Sequence, residues 1–437
     1  LVVATRTKTS TRISQDFFWL VNMLELIVPI KPARLLDDLH TLRSFGAVGD
    51  GVVRTTFSDS DMAARRWLRD QMADAGLDAS IDGVANVFGR SPNPGPALLI
   101  GSHSDTQPNG GWLDGAMGVI YGLEIARSLL EDSETDHLAV DAVAWSDEEG
   151  TYTSCLGASS FVGVLGNDQL QATNAGGESV SQALERTGLG GRGRAVFEPG
   201  RQLGYLEAHI EQGPHLEAAG LKVGVVTSIV GIRSVAVFFN GEQNHAGTTP
   251  MSVRADAGVA MFEFGFELQA RMRAVAGPTS VWTIGVVNLE PGAQSIVPGS
   301  ARLVVQFRDP EDATLDRMEQ EVSALADELD RRGPVSVSVE AGEHISPTVM
   351  DTGLQEFISA AAADLVPGQW TRMPSAAGHD PMVLSHHMPC AMLFIPSIGG
   401  ISHDFAEDSH EADIVTGCQV LANAAASILK SQSHSEP

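Results

Sequence analysis

The sequence is poor in cysteine and in basic side chains. Only three cysteines occur among 437 residues, Cys155, Cys390 and Cys418, which is too few for a disulfide framework and typical of a reducing compartment. Lysine and arginine together number 28 against 55 aspartates and glutamates, so the formal net charge is −27. A surface of that sign repels nucleic-acid phosphates and anionic lipid headgroups. We therefore expect a cytoplasmic protein that binds neither nucleic acid nor membranes.

Long apolar runs are also missing. No stretch of about 18 uncharged apolar residues occurs, so no membrane-spanning helix is predicted. The nearest approach, residues 17–30, follows three basic residues as a secretory signal would, but Asn22 and Glu25 interrupt it and no small-residue cleavage site follows. We interpret residues 1–32 as an N-terminal extension of unknown role.

From residue 33 onward, helical periods alternate with short apolar strands, a pattern typical of an α/β layer architecture. Residues 97–100 and 138–145 are predicted to be buried strands, and residues 59–75 and 116–130 are predicted to be helices. Each of the two strands is followed at once by polar residues. Chemistry often lies at the carboxyl ends of strands in such sheets.

A second unit interrupts this pattern between residues 218 and 343. Its predicted order is strand, helix, two strands, helix and strand (βαββαβ), a compact α+β module that can fold alone. Residues 33–217 and 344–437 are expected to form one domain around it. The predicted architecture is therefore α/β, with a mixed sheet flanked by helices and an inserted α+β domain.

Several potential metal ligands recur just after apolar strands or in glycine-rich turns: His103, Asp114, Glu149, His209 and His403. One such residue alone is more often a satisfied polar group, but several at strand ends indicate a shared site. Imidazole and carboxylate ligands without a nearby cysteine suit Zn²⁺, Mn²⁺, Co²⁺ or Ni²⁺, and structural zinc sites are usually rich in cysteine instead. With five ligands, two ions that share one carboxylate are the economical arrangement, and ions about 3.5 to 4 Å apart can hold a bridging hydroxide.

Two further acidic positions adjoin these ligands. Asp105 lies two residues after His103, a spacing at which a carboxylate can orient an imidazole, although Asp105 is also a common turn residue. Glu148 stands beside Glu149 in a pair that, taken alone, is more typical of a solvated acidic turn.

Six ordered motifs carry a resemblance to a known family: GSHSDT at 101–106, GGWLDG at 110–115, DEEG at 147–150, HIEQGP at 209–214, NHAGTTPM at 244–251 and GISH at 400–403. Together they resemble the M20-type binuclear metallo-amidohydrolases of the hydantoinase/carbamoylase family. The similarity is to the branch of N-carbamoyl-L-amino acid hydrolases, allantoate amidohydrolases and β-ureidopropionases. It extends from about residue 33 to about residue 426.

The resemblance implies a role for each candidate ligand. His103 and His209 would hold one divalent ion, Glu149 and His403 would hold a second, and Asp114 would bridge the two. Glu148 would be the general base that takes a proton from the bridging water and later passes it to the leaving nitrogen.

The resemblance also implies substrate contacts and a homodimer. The inserted domain would be a dimerisation and lid domain. His245 would reach across the dimer interface that this domain supplies and would stabilise an oxyanion. Gln212 and Gly378 would contact substrate, and Arg308 would pair with a substrate carboxylate. Alternatively, residues 244–250 are a polar turn and Arg308 is an ion-pair partner of Asp309 or Glu311.

Some positions depart from the family pattern and bear on the substrate. Ser295 stands where the family usually has asparagine, which weakens a direct contact to a substrate carboxylate. Ala376 replaces a usual glycine, and Ser104 and Gln107 replace the more usual leucine and valine.

The expected function is hydrolysis of a non-peptide C–N bond in a linear amide or ureide. The leading candidate substrate is an N-carbamoyl-L-amino acid, with allantoate, an N-acyl amino acid, a peptide or another small amide as alternatives. A non-catalytic binding module is the alternative from another class, but all five ligand positions and Glu148 are present.

Overall fold

The computed structural model describes residues 27–433, which divide into two compact units. The larger unit contains the chain up to Thr227, residues Met350–Met373 and the chain from His379 onward, and the smaller unit contains Ser228–Val349 and Pro374–Gly378. Of the expected N-terminal extension, residues 1–26 lie outside the described residues.

The helices and strands are numbered in chain order through both units. The helices are α1 Pro32–Ser44, α2 Asp59–Asp74, α3 Ala116–Glu131, α4 Leu156–Phe161, α5 Asn167–Gln171, α6 Val180–Arg186, α7 His215–Ala218, α8 Ala257–Val275, α9 Asp312–Arg332, α10 Thr352–Leu365, α11 Pro381–Leu384 and α12 Glu411–Ser433. The strands are β1 Ala47–Val48, β2 Gly51–Val52, β3 Asp78–Ile81, β4 Val87–Arg90, β5 Ala97–His103, β6 Val140–Trp145, β7 Gln202–Ile210, β8 Val223–Ile229, β9 Gly231–Asn240, β10 Asn244–His245, β11 Val281–Glu290, β12 Ile296–Val297, β13 Ser300–Asp309, β14 Ser336–Ile345, β15 Thr348–Val349, β16 Trp370–Ser375 and β17 Cys390–Ile395.

A nine-stranded mixed sheet, most of which lies in the larger unit, confirms the predicted fold class. The strand order is β15-β8-β17-β7-β5-β6-β4-β3, with β16 paired to β8. The central strands β17, β7, β5 and β6 are parallel, and β8, β4 and β3 pair antiparallel. Strands β5, β6 and β17 are buried along their whole length, which explains their continuous apolar sequences.

Helices cover this sheet, and α3 is buried along nearly its whole length. Ser58 caps α2 by accepting a hydrogen bond from the Asp61 N–H, as the polar residues before that helix predict. In the part of the chain that the structure describes, α12 alone is long and apolar enough to cross a membrane. However, 72% of its 18-residue apolar window is buried inside the unit. This burial is the pattern of a core helix.

The smaller unit has its own sheet and its own core. Strands β11, β13, β9 and β14 lie in that order, all antiparallel, and elements β9, α8, β11, β13, α9 and β14 occur in the expected βαββαβ order. Alternate residues of β13 are buried against α8 and α9, as in a sheet with one covered face.

The bounds of this unit differ from the expected 218–343. At its start, β8 pairs with β17 through Gly224, Val225 and Val226, so the chain belongs to the larger sheet until Thr227. At its end, β14 pairs with β9 as far as Ile345.

The smaller unit exposes large apolar side chains on two neighbouring elements. On α8, Phe262 is 66% and Phe266 is 83% exposed, at helical spacing. On the edge strand β11, Val281, Val286 and Val287 are also exposed. Exposed apolar side chains on an edge strand and on the helix beside it are candidates for an interaction face.

Candidate metal centre

The candidate ligands lie at one edge of the larger sheet because four parallel strands end there. His103 is the last residue of β5, and His209 is near the end of β7. Glu148 and Glu149 follow the end of β6, and the segment that carries His403 follows β17. Parallel strands bring their carboxyl ends to the same edge, so residues distant in sequence meet.

Two groups of possible ligands share Asp114. In the first group, Asp114 Oδ1 lies 2.9 Å from His209 Nε2 and 3.9 Å from His103 Nε2. In the second group, Asp114 Oδ2 lies 3.1 Å from His403 Nε2, which is 3.5 Å from Glu149 Oε2. Within each group the ligand atoms lie within 4.8 Å of one another. Asp114 therefore presents a different oxygen to each group.

The tautomers of the two buried imidazoles fit a cation. His103 Nδ1 lies 2.9 Å from the Asp105 carbonyl oxygen, and His209 Nδ1 lies 3.0 Å from the Ile210 carbonyl oxygen. A carbonyl oxygen only accepts, so each Nδ1 carries the proton and each Nε2 presents a lone pair. Among the described residues, Asp114 Oδ1 receives no hydrogen bond. A lone pair and a carboxylate oxygen 2.9 Å apart need positive charge between them, which a divalent ion supplies.

The pKa values of the candidate ligands also favour a bound cation. Burial alone would raise the pKa of Asp114, but the imidazoles of His209, His403 and His103 hold it well below the usual range. Burial opposes the charged form of His209, yet Asp114 outweighs it and raises the pKa to about 9. The hydrogen bond to Asp114 raises the pKa of His403 to about 9 as well. Without a metal, protons would occupy these lone pairs, and a bound ion would displace them.

Gly115 leaves the space that the first group needs. Its φ is +65°, and a Cβ atom built there would lie 2.4 Å from His103 Nε2. Any larger residue at this position would push into the imidazole, so the glycine after Asp114 is required by the site itself.

The structure corrects the expectation for Asp105. Its backbone oxygen, and not its carboxylate, accepts from His103. The carboxylate instead accepts from the Asp147 N–H at 3.0 Å and lies 3.5 Å from the guanidinium of the buried Arg65. Asp105 therefore orients the imidazole through the main chain and fixes the 147–149 turn through its side chain.

Glu148 lies beside the first group but outside both ligand groups. Its side chain is 10% exposed, and its Oε2 lies 3.6 Å from His103 Nε2, too far for a hydrogen bond. Burial, followed by the charges of Asp380 and Glu149, raises its pKa well above the usual range. A carboxyl group with a raised pKa can both take up and release a proton near neutral pH.

Gln212 adopts a left-handed φ of 57° that turns its side chain towards the second group. Its Nε2 lies 3.2 Å from Asp114 Oδ2 and 3.4 Å from His403 Nε2. The residue expected to contact substrate thus lies against the candidate ligands.

Some residues around the centre were not predicted from the sequence. Glu207 and His379 lie with His209 in a third cluster, and Gln107 donates to Glu149 Oε2 at 2.8 Å. Glu207 is signalled by its position two residues before His209, since alternate residues of a strand share a face. The sequence carries no comparable signal for His379, whose partner is remote along the chain.

In the smaller unit, the structure brings His245 and Ser295 together. Strand β10 pairs His245 with Ile296, and the Ser295 carbonyl accepts from the Ala246 N–H at 2.9 Å. His245 Nδ1 accepts from the N–H groups of Gly247 and Thr248 at 3.0 and 3.2 Å. The neutral ring therefore carries its proton on Nε2, and the exposed side chain offers one hydrogen-bond donor.

Arg308 is held by neutral partners. Its guanidinium donates to Gln306 Oε1 at 3.2 Å and to the Ala376 carbonyl at 3.2 Å. Within residues 27–433 it forms no ion pair, so the alternative pairing with Asp309 or Glu311 is absent there. Its charge is available to an anion, and Ala376 and the exposed Gly378 lie in the segment that it contacts.

Comparisons with known proteins show which proteins this chain is similar to. The family model described as Peptidase family M20/M25/M40 matches residues 99–427. An N-carbamoyl-L-amino acid amidohydrolase from Geobacillus stearothermophilus is 31% identical over 392 residues, which is 87% of this chain and 95% of that protein. An allantoate amidohydrolase from Bacillus subtilis (strain 168) is 31% identical over 402 residues, 89% of this chain and 96% of that protein. The crystal structure of an amidase (hydantoinase/carbamoylase family) from Burkholderia phymatum superposes with a TM-score of 0.89 at 51% identity and covers 93% of this chain and 100% of that chain.

Proposed function

We propose that this chain, which belongs to peptidase family M20/M25/M40 and is a hydrolase of linear C–N bonds, cleaves the ureido group of an N-carbamoyl-L-amino acid. The reaction would consume one water and release the amino acid, carbon dioxide and ammonia. The observation that carries this proposal is Asp114, whose two carboxylate oxygens face two separate ligand groups.

The proposed cofactor is a pair of divalent ions. His103 and His209 would hold one, Glu149 and His403 the other, and Asp114 both. Zn²⁺, Mn²⁺, Co²⁺ and Ni²⁺ all accept imidazole and carboxylate ligands. Such ions, when bound, lower the pKa of water and polarise a carbonyl oxygen.

The proton steps fall to Glu148. Its carboxylate would take a proton from the attacking water and return it to the nitrogen that leaves the ureido carbon. The raised pKa supports both halves of this role, and the exposed Nε2–H of His245 suits the oxygen on which negative charge develops.

Substrate selection is proposed to depend on a carboxylate. Arg308, whose charge has only neutral partners, would bind that group through its planar fork. Gln212, Gly378 and Ser295 would contact the rest of the substrate. Because Ser295 has no amide to offer, its contact would be a single hydroxyl hydrogen bond.

A homodimer is proposed to complete the site, with His245 supplied by a second copy of the chain. Supporting this, Phe262 and Phe266 on α8 and the valines of edge strand β11 are exposed, and an edge strand can pair with its own copy. A cytoplasmic location is proposed as well, since Cys155, Cys390 and Cys418 are all free thiols. Fractionation of cells that express the chain would test the location.

The substrate proposal is tested by ammonia release from protein reconstituted separately with each of the four metals. The panel contains N-carbamoyl-L-amino acids, 3-ureidopropionate, allantoate and N-acetyl-amino acids, with a chelated control. Metal-dependent release from the first class is expected. If only allantoate or only acyl amides were hydrolysed, the proposed substrate would be wrong, but the chain would still be a hydrolase of linear C–N bonds.

The trans role of His245 is tested by complementation. His245→Ala and Glu148→Gln chains are co-purified as mixed dimers, each carrying its own affinity tag. If His245 acts across the interface, one intact site forms in each mixed dimer and activity returns. Two inactive parents whose mixed dimer is also inactive would contradict the proposal.

A further inference from the structure

A buried carboxylate that the proposed reaction does not use links two loops of the metal centre. Glu407 is 1% exposed and lies four residues after His403. Its Oε1 accepts from the N–H groups of Leu113 and Asp114 at 3.1 and 3.0 Å, and its Oε2 accepts from Ser402 Oγ at 2.8 Å. One carboxylate therefore joins the loop that carries Asp114 to the loop that carries His403.

The glycine-rich turn before Asp114 is shaped for this contact. A Cβ atom built on Gly111 would lie 1.9 Å from Glu407 Oε1 and 2.5 Å from Glu407 Cβ. No side chain at position 111 is compatible with the carboxylate in this place. The glycine thus gives the carboxylate access to two main-chain N–H groups, one of which belongs to the residue shared by both ligand groups.

The two ligand groups depend on this link to different extents. His103 and His209 are strand residues, held by the hydrogen bonds of β5 and β7. His403 lies outside any helix or strand, has a left-handed φ of 53° and is 48% exposed. Its placement near Asp114 therefore relies on loop contacts, which include the Glu407 bridge and a hydrogen bond from Gln212 Nε2 to Ser402 Oγ.

We propose that Glu407 is a positioning residue that sets the second ligand group, Asp114, Glu149 and His403, by fastening the His403 loop to the Asp114 loop. This rests on the proposed function in one respect, that the group binds a divalent ion. Removing a residue that orients a metal ligand in this way typically lowers metal affinity by about 10 to 100-fold.

The test compares Glu407→Ala and Glu407→Gln with the wild type and with Glu124→Ala. Glu124 is a fully buried carboxylate of the same unit that contacts Lys31, Arg34 and Ser128, away from the candidate ligands. It controls for the loss of a buried carboxylate as such. Affinities for Mn²⁺ and Zn²⁺ are measured by chelator competition, with the metal alone as the probe.

In Glu407→Ala, one ion is expected to bind as in the wild type and the other at least about tenfold more weakly. In Glu407→Gln, both affinities are expected within about threefold of the wild type. Its amide keeps one oxygen for the two N–H groups and donates its own N–H to Ser402. Glu124→Ala is expected to lower thermal stability without a selective loss. Equal weakening of both ions in Glu407→Ala, no weakening, or a Gln variant as weak as the Ala variant would overturn the proposal.

Hydrogen exchange separates this proposal from the proposed function. Amides of residues 398–408 and 110–114 should exchange faster in metal-free Glu407→Ala, while those of β5 and β7 should not change. If the wild type binds fewer than two ions, the two-ion cofactor is refuted, and the exchange result alone then decides whether Glu407 fastens the loops. Unchanged exchange at 398–408 would refute the link.

Discussion

Replacing Glu148 with glutamine should separate proton transfer from metal binding. Glu148 belongs to neither ligand group, so the Glu148→Gln variant should retain its metal ions. Its carboxyl is buried among other acids, which raise its pKa, so an amide of nearly the same shape removes repulsion and should not lower the free energy of unfolding. The fold and the metal centre should both survive the change.

The expected loss is in turnover. A positioned general acid and base contributes about 10² to 10⁴-fold to a rate, which is about 3 to 5 kcal/mol of activation free energy. Glutamine can hydrogen-bond to water but cannot take its proton, so kcat should fall by that factor while KM changes little. Metal content by mass spectrometry, thermal unfolding and steady-state ammonia release measure the three properties on one sample.

The adjacent residue is the matched control. Glu149→Gln makes the same chemical change one position along the chain, but at a carboxylate of the second ligand group. It should lose an ion as well as activity. If Glu148→Gln also lost metal, or kept its turnover within about threefold of the wild type, the assignment of Glu148 as general base and acid would be wrong.

Other changes have equally direct outcomes. Gly115→Ala would place a Cβ atom 2.4 Å from His103 Nε2 at a left-handed backbone position. It should abolish metal binding at the first ligand group, as measured by metal content. It should also lower the free energy of unfolding by at least about 1 to 2 kcal/mol, as measured by chemical unfolding. Metal-free protein should lose stability as pH rises from about 6.5 to about 9. The reason is that the pKa of His209 is about 9 in the folded protein, above its value in the unfolded chain. The charged side chain therefore stabilises the fold fully only below about pH 6.5. Unfolding midpoints that rise between pH 6.5 and 9 would contradict this prediction. Arg308→Lys should lower kcat/KM about 10 to 100-fold for carboxylate-bearing substrates but not for their neutral amides, and equal losses on both would remove the carboxylate role.

The parallel strands could be predicted from the sequence together with the polar residues at their ends. Strands that are buried on both faces have continuous apolar sequences, as β5 and β6 do, and the end of such a strand is visible as a change to polar residues. His103 and the 147–149 turn were found in this way. Parallel pairing then accounts for their meeting at one edge of the sheet.

The contacts that orient the candidate ligands could not be predicted from the sequence in this way. Whether Asp105 orients the imidazole by its carboxylate or its carbonyl depends on the guanidinium of Arg65, which comes from helix α2. Glu407 and Asp114 are nearly 300 residues apart and meet through main-chain N–H groups, which leave no mark on the residue types involved. The bounds of the smaller unit depend on β8, whose apolar sequence suits either sheet.

The order of the ligands along the chain also sets an order of assembly during synthesis. The first ligand group is complete once His209 has been made, whereas the second needs His403, which is synthesised 194 residues later (403 − 209). At about 5 to 20 residues per second, translation separates the two by roughly 10 to 40 s. During that interval the nascent chain contains a complete first group but only Asp114 and Glu149 of the second. Asp114 therefore meets His403, its neighbour in the second group, only after this interval.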